Sequence, residues 1–127
     1  MRGLVAAVVT PMNEKGDLNL NLVPKVVDYL ATKGITGIYI AGSTGEGMSL
    51  TDEERREVAE AYVFAAKGRM KSFVQVGHNS LKASADLAGH AEAIGADAVS
   101  ATPTGYFKAS SEAELVEGLL PIAEAAS

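Results

Sequence analysis

Short apolar runs alternate with amphipathic stretches of helical spacing, four times over, in this 127-residue chain, and that alternation limits the fold more than any other feature. Residues 4–9 form a continuous Val-rich run ended by Thr10-Pro11, as expected of a strand buried on both faces. Residues 13–17 form a turn. Leu22, Val23, Val26, Val27 and Leu30 then recur at helical spacing, with Pro24 near the start and Gly34 beyond the end. A second strand is expected over 35–41 and a second helix from about Asp52 to Lys67, opened by the capping box Thr51-x-x-Glu54 and stopped at Gly68. On that helix Val58, Tyr62, Ala65 and Ala66 face one way, and Glu53, Glu54, Arg56, Glu57 and Glu60 largely outward. The third cycle has a strand over 72–76, a turn over 77–80 and a helix over 81–94, capped by Asn79 or Ser80 and closed by Gly95. The fourth has a strand over 97–101, a loop over 102–106 and a helix from Ser111 to about Ala126, which Pro121 is expected to interrupt.

Alternating βα units imply an α/β fold with a parallel sheet and right-handed crossovers. Four such units fit a small doubly wound sheet, or half of an eight-stranded barrel, which typically takes ~250 residues. Periodicity does not choose between them, because both bury their strands.

Composition narrows the function. A net charge of −5 without any block of Lys and Arg argues against nucleic acid. The absence of Cys excludes disulfides, a thiol nucleophile and cysteine-based zinc sites. No apolar stretch approaches the ~20 residues that span a bilayer, and no signal-peptide pattern follows the first residues, so a soluble cytoplasmic protein is expected.

The stretch most suggestive of chemistry is 41-AGSTGEG-47, between the second strand and the second helix. Its glycines at 42, 45 and 47 permit positive φ and close approach to a ligand, while Ser43 and Thr44 add hydroxyls beside exposed amides, the makings of an anion cradle. The alternative is a solvent-facing turn using Gly and Ser for geometry alone. The loop has no P-loop lysine, no dinucleotide fingerprint and no G-x-S-x-G elbow for Ser43. Glu46 is a candidate general base, although an acid in such a loop more often holds it through backbone amides. His78, at a strand end, is a weak candidate site residue and His90 an ordinary helix residue; no metal site is expected. Tyr106, after the fourth strand, is a candidate proton relay or a rim aromatic.

The segment 42-GSTGEG-47 with 50-LTDEERREVAE-60 closely resembles the N-acetylneuraminate lyase and dihydrodipicolinate synthase family of class I aldolases. Residues 3–7, Thr10-Pro11-Met12, Val76-Gly77-His78, residues 95–99 and Thr102-Pro103 fall in the family's order. Thr-Pro-Met, Gly-Glu-Gly and Glu-Arg-Arg look more like the sialic-acid lyase branch.

The resemblance implies a TIM (β/α)8 barrel, of which residues 1–127 would be the N-terminal half, with strands and helices one to four. It implies cleavage or condensation of pyruvate adducts through a lysine Schiff base, with no cofactor. Ser43, Thr44 and Gly45 would bind the pyruvate carboxylate, Glu46 would stabilise the loop, and Ser43 would join a proton relay with Tyr106. The family places such a tyrosine after strand four and often lends it to a neighbouring subunit. Here Thr104-Gly105 precedes Tyr106, which departs from the common pattern of Thr-Pro followed directly by two aromatics. The Schiff-base lysine belongs to strand six, and none of the lysines at 15, 25, 33, 67, 71, 82 and 108 matches it. The resemblance therefore implies a parent enzyme, most simply an N-acetylneuraminate lyase, inactive without its C-terminal half barrel and homo-oligomeric when intact. The alternatives are condensation of pyruvate with a semialdehyde, or a non-catalytic βα module that binds a small carboxylate.

Overall fold

The computed structural model describes residues 3–127. The strands are β1 (Val5–Ala7), β2 (Gly37–Ile40), β3 (Lys71–Gln75) and β4 (Ala98–Ser100), and the helices α1 (Val23–Thr32), α2 (Asp52–Ala66), α3 (Leu81–Ala93) and α4 (Glu112–Ala125). The four expected βα units are therefore present and in the expected order. All strands are parallel, in the order β1-β2-β3-β4.

That order resolves the choice periodicity left open. When consecutive parallel strands are always neighbours and every crossover has the same hand, all crossover helices fall on one face of the sheet. The burial pattern agrees. Val8, Ile38, Ile40, Val74 and Val76 are all under 5% exposed and form the core with Val27, Val58, Tyr62, Leu87 and Ala91. On the opposite face the register brings Ala7, Tyr39, Phe73 and Ala98 into one row, and all four are half-buried or exposed. A doubly wound sheet would cover both faces. This sheet is covered on one, as a sector of a barrel is, with the second face turned to the barrel axis.

Local signals explain most boundaries. The Thr51 hydroxyl accepts from the Glu54 N–H at 3.2 Å and the Glu54 carboxylate accepts from the Thr51 N–H at 2.8 Å, so the capping box forms in full. Gly34, Gly68 and Gly95, just past the first three helices, have φ of 73°, 75° and 83°, where a side chain would be strained. Ser80 caps α3 by accepting from the Ala83 N–H, which leaves Asn79 free for another task.

Two expectations need correction. The first strand spans three residues rather than 4–9, although the Val8 N–H still donates to the Tyr39 carbonyl at 3.0 Å beyond its assigned end. Pro121 does not interrupt the last helix, which runs unbroken from Glu112 to Ala125. Pro121 and Glu117, whose carbonyl cannot receive a bond from Pro121, are both exposed, so the freed carbonyl lies open to solvent while Ile122, 3% exposed, stays packed in the core.

Candidate functional site

The carboxyl ends of the four strands converge on one edge of the sheet, and the loop from Ala41 to Gly47 lies among them. Its shape comes from contacts that exclude side chains. A Cβ on Gly47 would fall 1.9 Å from the Ala41 carbonyl oxygen, one on Gly45 would fall 2.9 Å from the Val8 carbonyl oxygen, and one on Gly42 would fall 2.5 Å from the Tyr39 ring. The positive φ angles expected of these glycines belong instead to Ala41 at 55° and Glu46 at 53°. Two non-glycine residues thus hold a left-handed backbone, a conformation that costs on the order of 1–3 kcal/mol and persists only where surroundings enforce it.

Hydrogen bonds within the loop and from its neighbours enforce it. The Glu46 N–H donates to the Ser43 carbonyl and the Gly47 N–H to the Gly42 carbonyl, both at 3.1 Å, closing the loop on itself. The Thr10 hydroxyl, at the exit of β1, donates to the Gly45 carbonyl at 2.6 Å. Tyr62 of α2 donates to the Val9 carbonyl at 2.7 Å, and burial pushes its phenol up to about 12. The first strand's exit is thereby tied both to the loop and to the helix behind it.

What remains unpaired is informative. Among the described residues the N–H groups of Ser43, Thr44 and Gly45 donate to no acceptor and the two hydroxyls make no hydrogen bond, while Ser43 and Thr44 are exposed. Three consecutive free donors beside two hydroxyls can receive a small anion, in the manner of a backbone nest. Glu46 is exposed, and its carboxylate makes no hydrogen bond among the described residues; it braces the loop through its main chain, whose carbonyl also accepts from Ser49 at 2.8 Å.

A second layer lies beneath the loop and escaped sequence reasoning. Arg55 points into the protein at 2% exposure. Its guanidinium donates to the Gly77 carbonyl at 3.0 Å and to both the Gln75 carbonyl and the Gln75 side-chain oxygen at 2.8 Å. Desolvation lowers its pKa, opposed by the nearby Asp52 carboxylate. Gln75 passes the connection on by donating to the Thr102 hydroxyl at 3.3 Å, so α2, the exit of β3 and the exit of β4 are coupled through one buried arginine. The helical wheel put Arg56, not Arg55, in view; an Arg among buried positions 58, 62 and 66 offers a signal only to a reader who asks what a long cation could reach.

The other candidates separate. His78 stands at the β3 exit, where its Nδ1 accepts from the Ser80 N–H at 2.8 Å and its Nε2 lies 3.8 Å from Asp52. His90 faces Glu60 at 2.9 Å and joins α3 to α2. Among the described residues no cluster of three or more His, Asp or Glu side chains has metal-binding geometry, and no helix is long and apolar enough to cross a membrane. Tyr106 is 79% exposed, packs edge-to-face on Phe107, and has its N–H held by the Asn79 side-chain oxygen; it makes no hydrogen bond to Ser43. On the inner sheet face Tyr39 donates to the Ser100 hydroxyl at 3.0 Å, placing a phenol near the loop that sequence reasoning had treated only as part of a strand.

Comparison with known proteins gives this geometry a context. The model of the dihydrodipicolinate synthetase family matches residues 1–126. N-acetylneuraminate lyase A of Xenopus laevis is 45% identical over 99% of the chain, and N-acetylneuraminate lyase of Rattus norvegicus is 41% identical over the same share. The chain spans about 40% of the length of these relatives. Among solved structures, N-acetylneuraminate lyase of Proteus mirabilis superposes on 99% of the chain with a TM-score of 0.95 at 35% identity, the match covering 43% of that protein. Dihydrodipicolinate synthase of Aquifex aeolicus superposes on 98% with a TM-score of 0.91 at 29% identity, covering 42% of its chain.

Proposed function

The chain belongs to the dihydrodipicolinate synthetase family, and from that premise we propose that it supplies the substrate-carboxylate cradle of a pyruvate-dependent carbon–carbon lyase of the class I aldolase type. N-acetylneuraminate lyase, splitting sialic acid into pyruvate and N-acetylmannosamine, is the specific activity proposed for the longer polypeptide, supported by relatives of that name at 41–45% identity.

One observation carries the reading: the N–H groups of Ser43, Thr44 and Gly45 and the two hydroxyls, all without a partner among the described residues, at the carboxyl end of β2. A carboxylate seated there accepts charge-assisted hydrogen bonds from main-chain donors that the buried glycines hold fixed. Fixing the carboxylate orients the adjacent keto carbon toward the barrel axis, where an amine from another strand would form the Schiff base that accepts electrons from the breaking bond. This chain's lysines lie in turns, at helix ends, within helices, at the entrance of β3 and in the β4–α4 loop. The amine is therefore assigned to the portion of the relatives that the chain does not span, which makes the present 127 residues the N-terminal half of a barrel and inactive alone. The Ser43 hydroxyl is the proposed proton carrier. Tyr106, far out on its loop, suits donation to a neighbouring subunit better than service to its own Ser43.

The test is a ¹⁵N-resolved titration with pyruvate, in which the amides of residues 43–45 are expected to shift and those of the opposite sheet end to stay fixed. Absence of any shift at these amides would refute the cradle. Mixing the chain with the C-terminal segment of a family member, followed by borohydride trapping, is expected to leave this chain's 13.1 kDa mass unchanged and to place the pyruvyl adduct on the added segment.

A further inference from the structure

We infer that Tyr39 is a positioning residue for the loop over 41–47, aiming the first of its main-chain donors through a bond to the fourth strand; the inference rests on the carboxylate-cradle reading and deepens it. Tyr39 stands on the inner face of the sheet, level with Phe73 and Ala98. Ser100 lies two residues beyond Ala98, on the same face and nearer the carboxyl end of β4. The Tyr39 hydroxyl donates to the Ser100 hydroxyl at 3.0 Å. With β3 between them, β2 and β4 are about 10 Å apart, so the phenol crosses the neighbouring strand to make this bond.

On the way its ring passes Gly42. A Cβ there would fall 2.5 Å from one ring carbon and 2.8 Å from the next, so the ring occupies the place of the missing side chain. Gly42 is buried, and its carbonyl accepts from the Gly47 N–H at 3.1 Å. That carbonyl and the Ser43 N–H belong to one planar trans peptide unit, in which they point in opposite directions. Two contacts on Gly42 therefore set the aim of the Ser43 N–H: the Gly47 N–H on the carbonyl and the Tyr39 ring against the backbone. The residue before, Ala41, holds a φ of 55°, a conformation that persists only where its surroundings enforce it. Tyr39 is half-buried on a face the chain leaves uncovered, where an aromatic side chain has several rotamers to choose from. The bond to Ser100 selects the one that lies against Gly42. A phenylalanine would fill the same space and lack that selection.

Hydrogen exchange in the free chain and a pyruvate titration, both resolved by ¹⁵N, test this separately. The amides of Glu46 and Gly47 close the loop and report its geometry without any ligand. Their exchange is expressed relative to amides of α1, on the opposite side of the sheet, so that a general loss of stability cancels. Tyr39→Phe and Ser100→Ala remove the same bond, and each is expected to speed exchange at Glu46 and Gly47 about three- to tenfold, the worth of one neutral hydrogen bond. The double variant should add nothing to either single, because both act through that bond. Tyr39→Leu, which also removes the ring, should exceed both and weaken pyruvate binding at the amides of residues 43–45 more than Tyr39→Phe does. Ser100→Ala without effect on the loop, additive singles, or Tyr39→Leu with exchange and pyruvate affinity unaltered would each overturn the inference. Pyruvate moving none of these amides in the unaltered chain would refute the cradle instead, and the exchange rates alone would then decide whether Tyr39 aims the loop.

Discussion

Replacing Arg55 by Met tests whether the buried second layer holds the strand exits in place. The guanidinium makes three charge-assisted bonds, to the Gly77 carbonyl and to two oxygens of Gln75, at 2.8–3.0 Å and at 2% exposure. Bonds to charged groups contribute about 1.5–3 kcal/mol each, so the gross loss at the lower figure is about 4–5 kcal/mol. Desolvation takes part of this back: the lowered pKa reflects the cost of burying the cation, and the Nε is buried with no partner among the described residues. Methionine fills most of the stem's volume and carries no such cost, which leaves a net destabilisation of about 2–3 kcal/mol. The measurement is the urea midpoint at unchanged slope, accompanied by hydrogen exchange at residues 75–77 and 102. Protection is expected to fall there first, since Gln75 would lose its anchor and release Thr102. Arg55→Lys discriminates further, because an ammonium lacks the planar fork needed to reach Gly77 and Gln75 together, and it should recover less than half the loss. A loss below about 0.5 kcal/mol for Arg55→Met, or full recovery by Lys, would refute the argument that the fork couples these exits.

Gly47→Ala places a methyl 1.9 Å from the Ala41 carbonyl oxygen, and a main-chain shift of more than 1 Å must follow; unfolding should show a loss of about 2–3 kcal/mol, and a change under 1 kcal/mol would mean the loop relaxes freely. Burial raises the folded pKa of Tyr62 from the ordinary phenol value near 10 to about 12, so its contribution is fully present below pH 10 and is lost as pH rises through about 12. Tyr62→Phe should flatten the alkaline limb of the stability curve in that window, at a cost of about 1 kcal/mol near neutrality for the lost bond to Val9. Asp97 behaves oppositely. Desolvation works to raise its pKa, but bonds from Lys71 and from the Ser72 N–H and hydroxyl outweigh it and bring it below the ordinary aspartate value of 3.8. Its contribution is present above that value and lost as pH falls through the lower folded pKa; Asp97→Asn should diminish the acid-limb slope, and an unchanged limb would contradict the pairing.

The βα grammar was legible because period, capping and punctuation agreed. Thr51 and Glu54 marked a helix start that formed as written, and Gly34, Gly68 and Gly95 marked three ends. Choosing a barrel sector over a doubly wound sheet was not legible in periodicity, because strand order is a long-range fact that leaves no local trace; it was the resemblance carried by 42-GSTGEG-47 and its neighbouring motifs that implied the barrel. Pro121 misled because a residue's rule was applied without knowing which way the affected carbonyl faces, and here it faces water. The loop's two exposed hydroxyls, at Ser43 and Thr44, were readable from composition, and the loop's mechanics were not. The glycines suggested positive φ, whereas the structure places that conformation at Ala41 and Glu46 and uses the glycines to let other groups come near. Arg55 escaped because helical periodicity sorts residues by polarity, and a buried cation violates the sorting.

That division of labour within the loop has a consequence for how such a site can diversify. Gly42, Gly45 and Gly47 face inward against Tyr39, Val8 and Ala41, where no side chain fits. Ser43, Thr44 and Glu46, interleaved with them, face outward with room around them. Positions that set the shape and positions that reach the solvent thus interleave along six residues without sharing a side chain. New hydroxyls, amides or charges can be tried at 43 and 44 while the glycines keep the main chain in place, so the ligand preference of the proposed cradle can change faster than its architecture.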